Sequence, residues 1–127
     1  MNIPANLYYT DHDEWVRSEG DCVVIGITDY AQDALGELVH VEMPEVGDSV
    51  SAGDAICEVE SVKAVAEVYS PVAGEVVEVN EAIEDAAETI NEDPYGAGWL
   101  CKVRVSGTLV LGSLLDADEY QKKVASA

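Results

Sequence analysis

The residue best suited to chemistry is Lys63, the single cation between Arg17 and Lys102. Its neighbours are Val62 and Ala64, whereas an exposed turn usually contains Gly, Asn or Asp. These flanks leave the lysine amine as the only polar group offered, which suits a site that an enzyme must grip and modify. The alternative is an ordinary solvated lysine near carboxylates, worth at most about 1 kcal/mol of stability.

Two strand-like segments position this lysine, over residues 55–60 and 65–69. They flank residues 61–64, a connection short enough for a β-hairpin. Further strands are predicted over 74–79 and 99–105, with a loop over 91–98 between them. The sequence therefore predicts a hairpin that carries Lys63 in its turn.

The rest of the pattern indicates short strands with a few helices. Apolar residues alternate along two segments and so define one face of each predicted strand. These residues are Val23, Ile25 and Ile27 in the first segment, and Val39, Val41 and Met43 in the second. Helices are predicted over 28–36, 81–90 and 116–124, the first capped by Thr28 or Asp29 and stopped by Gly36, the last capped by Asp116. Gly or Pro interrupts the pattern roughly every ten residues, as in small β-sandwiches. We expect one mainly β domain over residues 1–127, a small β-sandwich or flattened barrel with added helices.

The charge balance narrows the choice of partners. The chain has 26 Asp and Glu against 6 Lys and Arg, a net charge of −20. Such a field repels phosphate backbones, so we expect no nucleic acid and favour protein partners with basic docking surfaces. It also suits a high-salt cytoplasm, and a halophilic source is a hypothesis. No apolar run can span a membrane and no targeting peptide is evident, so a soluble cytoplasmic protein is expected.

The cysteines and histidines give no sign of a metal site or a disulfide framework. Cys22, Cys57 and Cys101 lie far apart and form no CxxC pair, and each lies beside β-forming residues, so burial is predicted. His12 and His40 have no zinc-ligand spacing to them, so no metal is expected. The sequence contains neither a Ser-His-Asp order nor a phosphate-binding glycine loop, so it gives no indication of a self-sufficient enzyme.

Five segments in order resemble the glycine cleavage H-protein family. Residues 60–64 (ESVKA) are similar to its lipoylation motif. Residues 25–32, 41–47, 70–80 and 90–100 (INEDPYGAGWL) match its other segments in the same order and spacing, and the resemblance covers roughly residues 8–120. It implies the barrel-sandwich hybrid fold of biotinyl-lipoyl carriers, with flanking short helices and a C-terminal helix.

The resemblance implies a carrier that catalyses nothing alone and bears lipoic acid on Lys63 through an amide. Such a shuttle takes an aminomethyl group from a pyridoxal-phosphate glycine decarboxylase to a tetrahydrofolate-dependent aminomethyltransferase. It then passes electrons to a dihydrolipoyl dehydrogenase, so the reaction chemistry belongs to cofactors. A lipoate ligase or lipoyl transferase would attach the lipoyl group, and we expect a monomer.

The resemblance also implies a surface cleft into which the loaded arm folds. Glu14 matches the family's N-terminal acidic position in this cleft, and Glu67 matches a second position where Asp is common. For both, the alternative is a solvated surface acid. The family usually shows His-Glu-Trp here, whereas Asp13 precedes Glu14 and the histidine is His12, so His12 receives no role.

Three related carriers are the alternatives. A biotin carrier domain shares the hairpin, but its lysine lies between methionines. The lipoyl domain of a 2-oxo acid dehydrogenase complex usually has Asp before its lysine and lacks both the 90–100 loop and the helical C-terminus. An H-like protein that mainly relays lipoyl groups to other enzymes stays open at this point.

Overall fold

The computed structural model describes residues 2–106 and 114–126, which form a mainly β protein. The strands are β1 (Tyr8–Tyr9), β2 (Glu14–Glu19), β3 (Cys22–Ile27), β4 (Leu38–Glu42), β5 (Ser49–Val50), β6 (Ala55–Ser61), β7 (Val65–Tyr69), β8 (Gly74–Val79) and β9 (Cys101–Val105). The helices are α1 (Asp29–Leu35), a 3-10 helix (Glu81–Ile83), α2 (Glu88–Glu92) and α3 (Ala117–Ala125). No helix in this part of the chain is long and apolar enough to cross a membrane.

Two antiparallel sheets face each other across an apolar core. The larger has the order β1-β2-β3-β9-β8-β5, and the smaller has the order β4-β6-β7. Ile25 and Val103 of the larger sheet and Val41 and Val59 of the smaller belong to the same buried cluster. Burial of such branched side chains contributes about 1.5–3 kcal/mol each. The predicted β-sandwich with flanking short helices and a C-terminal helix is confirmed.

Strand β4 contains an irregularity that overturns one prediction. The apolar alternation predicts one face for Val39, Val41 and Met43, but Val39 is 52% exposed and Val41 is 3% exposed. The register shifts between Leu38 and His40, as in a β-bulge, so the alternation breaks at that point. Leu38 takes the buried position, and Val39 lies at the surface.

The helix predicted over 81–90 is interrupted. The 3-10 helix ends at Ile83 and α2 begins at Glu88. A continuous helix would place Glu81 beside Asp85 and Glu84 beside Glu88 on its surface, and like charges four residues apart destabilise a helix. Ile83 and Ile90 are nevertheless both fully buried, so each short segment is anchored by its own isoleucine.

Helices α1 and α3 are capped as the sequence predicts. The Thr28 hydroxyl accepts a hydrogen bond from the N–H of Ala31, and Gly36 follows α1 with a φ of +82°. Asp116 and Glu119 form a reciprocal capping box at the start of α3. These local signals are sufficient to place both helices.

The cysteines agree with the predicted burial in two of three cases. Cys57 and Cys101 are buried free thiols, whereas Cys22 is partly exposed. Cys22 begins β3 and pairs with Glu19 at the tight turn between β2 and β3, where the end of the hairpin meets solvent. The prediction of burial is therefore wrong for Cys22.

Candidate functional site

Lys63 lies at the apex of the hairpin between β6 and β7. The N–H of Ser61 donates to the carbonyl of Ala64 over 2.8 Å and closes the turn. Val62, Lys63 and Ala64 are exposed, and none of the ion pairs in the described ranges involves Lys63. The structure therefore presents an unpaired lysine amine to solvent, at the turn where the sequence predicts it.

The buried hydroxyl of Ser61 organises this turn. Its oxygen accepts hydrogen bonds from the N–H groups of Lys63, at 3.2 Å, and Ala64, at 3.0 Å. Ser61 is only 5% exposed, so the hydroxyl is shielded from water that would compete for these bonds. Sequence reasoning did not single out Ser61, although a serine just before a tight turn is a known signal for such bonds.

The turn after α1 packs against the hairpin turn that carries Lys63. The N–H of Val62 donates to the carbonyl of Glu37 over 3.2 Å. A Cβ at Gly36 would lie 3.3 Å from Cε of Lys63, so the lysine stem runs along bare backbone. Asn91 of α2 fixes this backbone, because its amide donates to the Gly36 carbonyl over 2.8 Å. The apex is thus held from two sides.

Replacing Ser61 by alanine tests this support. We expect the free energy of unfolding to fall by about 1 kcal/mol, because two backbone N–H groups lose their acceptor. Since the displaced turn presents Lys63 less well, we also expect enzymatic lipoylation to slow by about fivefold. Urea denaturation and a mass-resolved time course of lipoylation measure the two effects.

The control is Ser51→Ala, at an exposed serine whose own turn bond runs from its backbone N–H to Asp54. It should change neither quantity. Equal lipoylation rates for the Ser61 and Ser51 variants would show that the Ser61 hydroxyl does not shape the turn.

Glu14 lies in a cleft of about 340 Å³ beside the far end of β7. Its side chain is almost fully buried, at 1% exposure. One carboxylate oxygen accepts from the Thr10 hydroxyl over 2.8 Å, and the other accepts from the N–H of Tyr69 over 2.7 Å. Burial raises the pKa of the Glu14 carboxyl, although both of these hydrogen bonds and the nearby His12 act to lower it.

Glu67 lies apart from this cleft. It is exposed on the outer face of the smaller sheet, directly opposite Glu58, and lines a groove with Glu42 and Met43. The structure therefore places Glu14 and Glu67 in different concavities. They are linked along β7 only through Tyr69, which lies two residues after Glu67 and binds Glu14.

His12, to which the sequence assigns no role, lines the Glu14 cleft. Its ring centroid lies 4.9 Å from that of Tyr69, with the planes tilted by 50°. Leu114 also borders the cleft, so one wall is apolar. No sequence pattern predicts that these residues meet, because they come from three distant segments.

The C-terminal helix holds the turn that carries Glu14. Asp13 has a φ of +64°, which is uncommon for a residue other than glycine. Its carboxylate accepts from the hydroxyl of Tyr120 over 2.9 Å and from the amine of Lys123 over 3.4 Å. The Tyr120 hydroxyl is also 2.7 Å from that of Thr28, so α3, this turn and the start of α1 form one polar network.

Comparison with known proteins gives matches to glycine cleavage H proteins. The profile of the family described as Glycine cleavage H-protein matches residues 7–127. The glycine cleavage system H protein of a Thermus thermophilus strain is 52% identical over 126 residues, covering 99% of this chain and 98% of that protein. That of Alteromonas mediterranea is 52% identical over 124 residues, covering 97% and 96% respectively.

A solved structure is similar over nearly the same length. The crystal structure of a glycine cleavage system H protein from Mycobacterium marinum superposes with a TM-score of 0.89 at 45% identity. The match covers 97% of this chain and 99% of that one. The similarity thus extends to both sheets and their connections.

Proposed function

Since this chain belongs to the glycine cleavage H-protein family, we propose that it is the lipoyl-bearing shuttle of a glycine cleavage system. In this role it carries an aminomethyl group from the glycine decarboxylase to the aminomethyltransferase, and electrons to the dihydrolipoyl dehydrogenase. The observation that carries the proposal is the exposed, unpaired amine of Lys63 at the apex of a hairpin. The match to an H protein over 99% of this chain and 98% of that protein disfavours a lipoyl domain of a 2-oxo acid dehydrogenase complex.

The environment of Lys63 fits a lipoyl group joined through an amide. An amide removes the positive charge of the amine, and here this costs no ion pair in the described part of the chain. Val62 and Ala64 offer no competing nucleophile to a modifying enzyme. When attached, lipoate would supply a disulfide that is reduced as it takes up the aminomethyl group, and a dithiol that the dihydrolipoyl dehydrogenase would reoxidise after the group is transferred.

The protein's own contribution is position and protection. Ser61 and Asn91 fix the hairpin apex and the turn below it, so that the arm starts from a defined point. We assign Glu14 to the cleft that shelters the charged amine of the loaded arm. Glu67 is proposed as a second acid along the arm's path, on the exposed face of β7.

Catalysis belongs to the partner enzymes in this proposal. The carrier works in the cytoplasm, as a monomer, with the three enzymes named above and with a lipoate ligase or lipoyl transferase. The net charge of −20 supports partners whose docking surfaces are basic.

Mass measurement of the protein purified from its native source tests the proposal most directly. We expect the intact mass to show one lipoyl increment, and peptide mapping to place it on Lys63. A biotin increment, a modification on another residue, or a fully unmodified chain in cells that cleave glycine would overturn the assignment.

A further inference from the structure

Exposed valines are concentrated at the hairpin end of the smaller sheet. Among the described residues, the exposed large apolar side chains are Val39 (52%), Val46 (61%), Val62 (68%) and Val65 (57%). A single exposed valine needs no explanation. Three of these four, however, lie at the end of the smaller sheet where the turn carries Lys63, whereas Val46 lies in the turn before β5.

The strand register brings three of them together. Glu60 of β6 pairs with His40 of β4 on one side and with Val65 of β7 on the other. Val39 lies in the bulge beside His40, and neighbouring strands are only about 5 Å apart. Val62 lies in the turn itself. We call Val39, Val62 and Val65 the valine collar, because they lie on β4, in the turn and on β7 at the end of the sheet that carries Lys63.

The collar is bordered by acids that have no ion-pair partner in the described ranges. These are five exposed glutamates: Glu37, Glu42, Glu58, Glu60 and Glu67. Three of them, Glu42, Glu58 and Glu67, lie directly opposite one another across the three strands of the smaller sheet. Like charges in this arrangement destabilise a sheet, so sheet stability does not explain the row.

We infer that the valine collar and the glutamate row (Glu42, Glu58 and Glu67) form the docking surface for the glycine decarboxylase, whose entrance pairs apolar side chains with a rim of Lys and Arg. The inference rests on the proposed function and specifies the partner's contact chemistry. Lys63 is the only cation between Arg17 and Lys102, and amide formation neutralises it. The lipoylated face therefore carries three exposed valines and five exposed glutamates, with His40 beside Val39 and with no Lys or Arg between Arg17 and Lys102 other than the neutralised Lys63. This charge pattern disfavours a partner with an acidic rim.

The apolar part is tested with the lipoylated protein as the varied substrate of purified glycine decarboxylase. Glycine-dependent CO₂ release gives kcat and KM for the wild type, for the double variant Val39→Ser/Val62→Ser and for the control Val46→Ser. All are first shown to be fully lipoylated by intact mass. We expect KM to rise by about tenfold in the double variant with kcat unchanged, because the contact is lost while the arm remains. The control should match the wild type.

The charged part is tested by Glu42→Gln/Glu58→Gln, and the control is Glu84→Gln, an exposed glutamate outside the smaller sheet. The wild-type KM should rise with added NaCl, since salt screens surface attraction. The double variant should show a higher KM at low salt and a flatter salt dependence, and the control should show neither.

The outcomes separate this inference from the proposed function. If the lipoylated wild type supports no CO₂ release, the proposed function fails. If it does, but the collar variant keeps the wild-type KM or is matched by Val46→Ser, the docking surface is wrong while the shuttle stands.

Discussion

Lys63→Arg should abolish lipoylation and lower glycine-dependent CO₂ release in a reconstituted system by more than about a thousandfold. A guanidinium keeps the charge of lysine, but it stays protonated and cannot form the amide. The side chain is exposed and makes no ion pair among the described residues, so the fold has little to lose. The free energy of unfolding should therefore change by less than about 0.5 kcal/mol.

The matched control is Lys102→Arg, on the opposite sheet, where the lysine pairs with Glu19 at 3.2 Å. An arginine can keep that ion pair, so this variant should be lipoylated and active. Intact mass, CO₂ release with purified partner enzymes and urea denaturation measure the three quantities. A lipoyl increment or normal CO₂ release in Lys63→Arg would refute the assignment of Lys63 as the attachment site.

Features of the site that depend on neighbouring residues could be predicted from the sequence. The β6–β7 hairpin follows from two strand-like segments around a four-residue connection, and this placed Lys63 at an apex. The caps of α1 and α3 follow from Thr28, Gly36 and Asp116 in the same way. In each case the determining hydrogen bonds join residues only a few positions apart, so the local sequence contains the information.

Features that depend on contacts between distant segments could not be predicted. The bond from Tyr69 to Glu14 joins residues 55 apart, and Asn91 reaches Gly36 across another 55. The bulge that exposes Val39 depends on how β4 pairs with β6, and a strand's own alternation does not contain that information. For the same reason the resemblance to the family implies one cleft for Glu14 and Glu67, whereas the structure places them in two concavities.

Glu14 should make folding stability depend on pH. Because burial raises the pKa of this carboxyl above its ordinary value of 4.5, the folded state holds the proton more tightly than the unfolded state does. Its contribution to stability is therefore greatest below that ordinary value, and it declines as the pH rises through the raised pKa. Glu14→Gln should remove this decline, because an amide does not titrate. Urea denaturation of the wild type and of Glu14→Gln over a pH series measures this difference. Parallel curves of the free energy of unfolding against pH would contradict the prediction.

The variants Glu14→Gln and Glu14→Ala separate the structural role of Glu14 from its proposed role in protecting the loaded arm. Glutamine keeps an oxygen for the N–H of Tyr69 and an amide for the Thr10 hydroxyl, so the fold should hold. Glu14→Ala removes both bonds and should cost about 2 kcal/mol of stability. If the carboxylate shelters the amine of the loaded arm, both variants should release ammonia from the isolated loaded protein about tenfold faster than the wild type, because a charge-assisted hydrogen bond is lost.

The glutamine variant decides between the two roles, because in it the charge is lost and the packing is kept. Fast ammonia release from a Glu14→Gln protein of wild-type stability assigns protection to the charge itself. The exposed Glu84→Gln should behave as the wild type, and Glu67→Gln reports whether the second acid contributes. A wild-type decay rate in Glu14→Gln, with fast decay only in the destabilised alanine variant, would reduce Glu14 to a buried link between the Thr10 turn and β7.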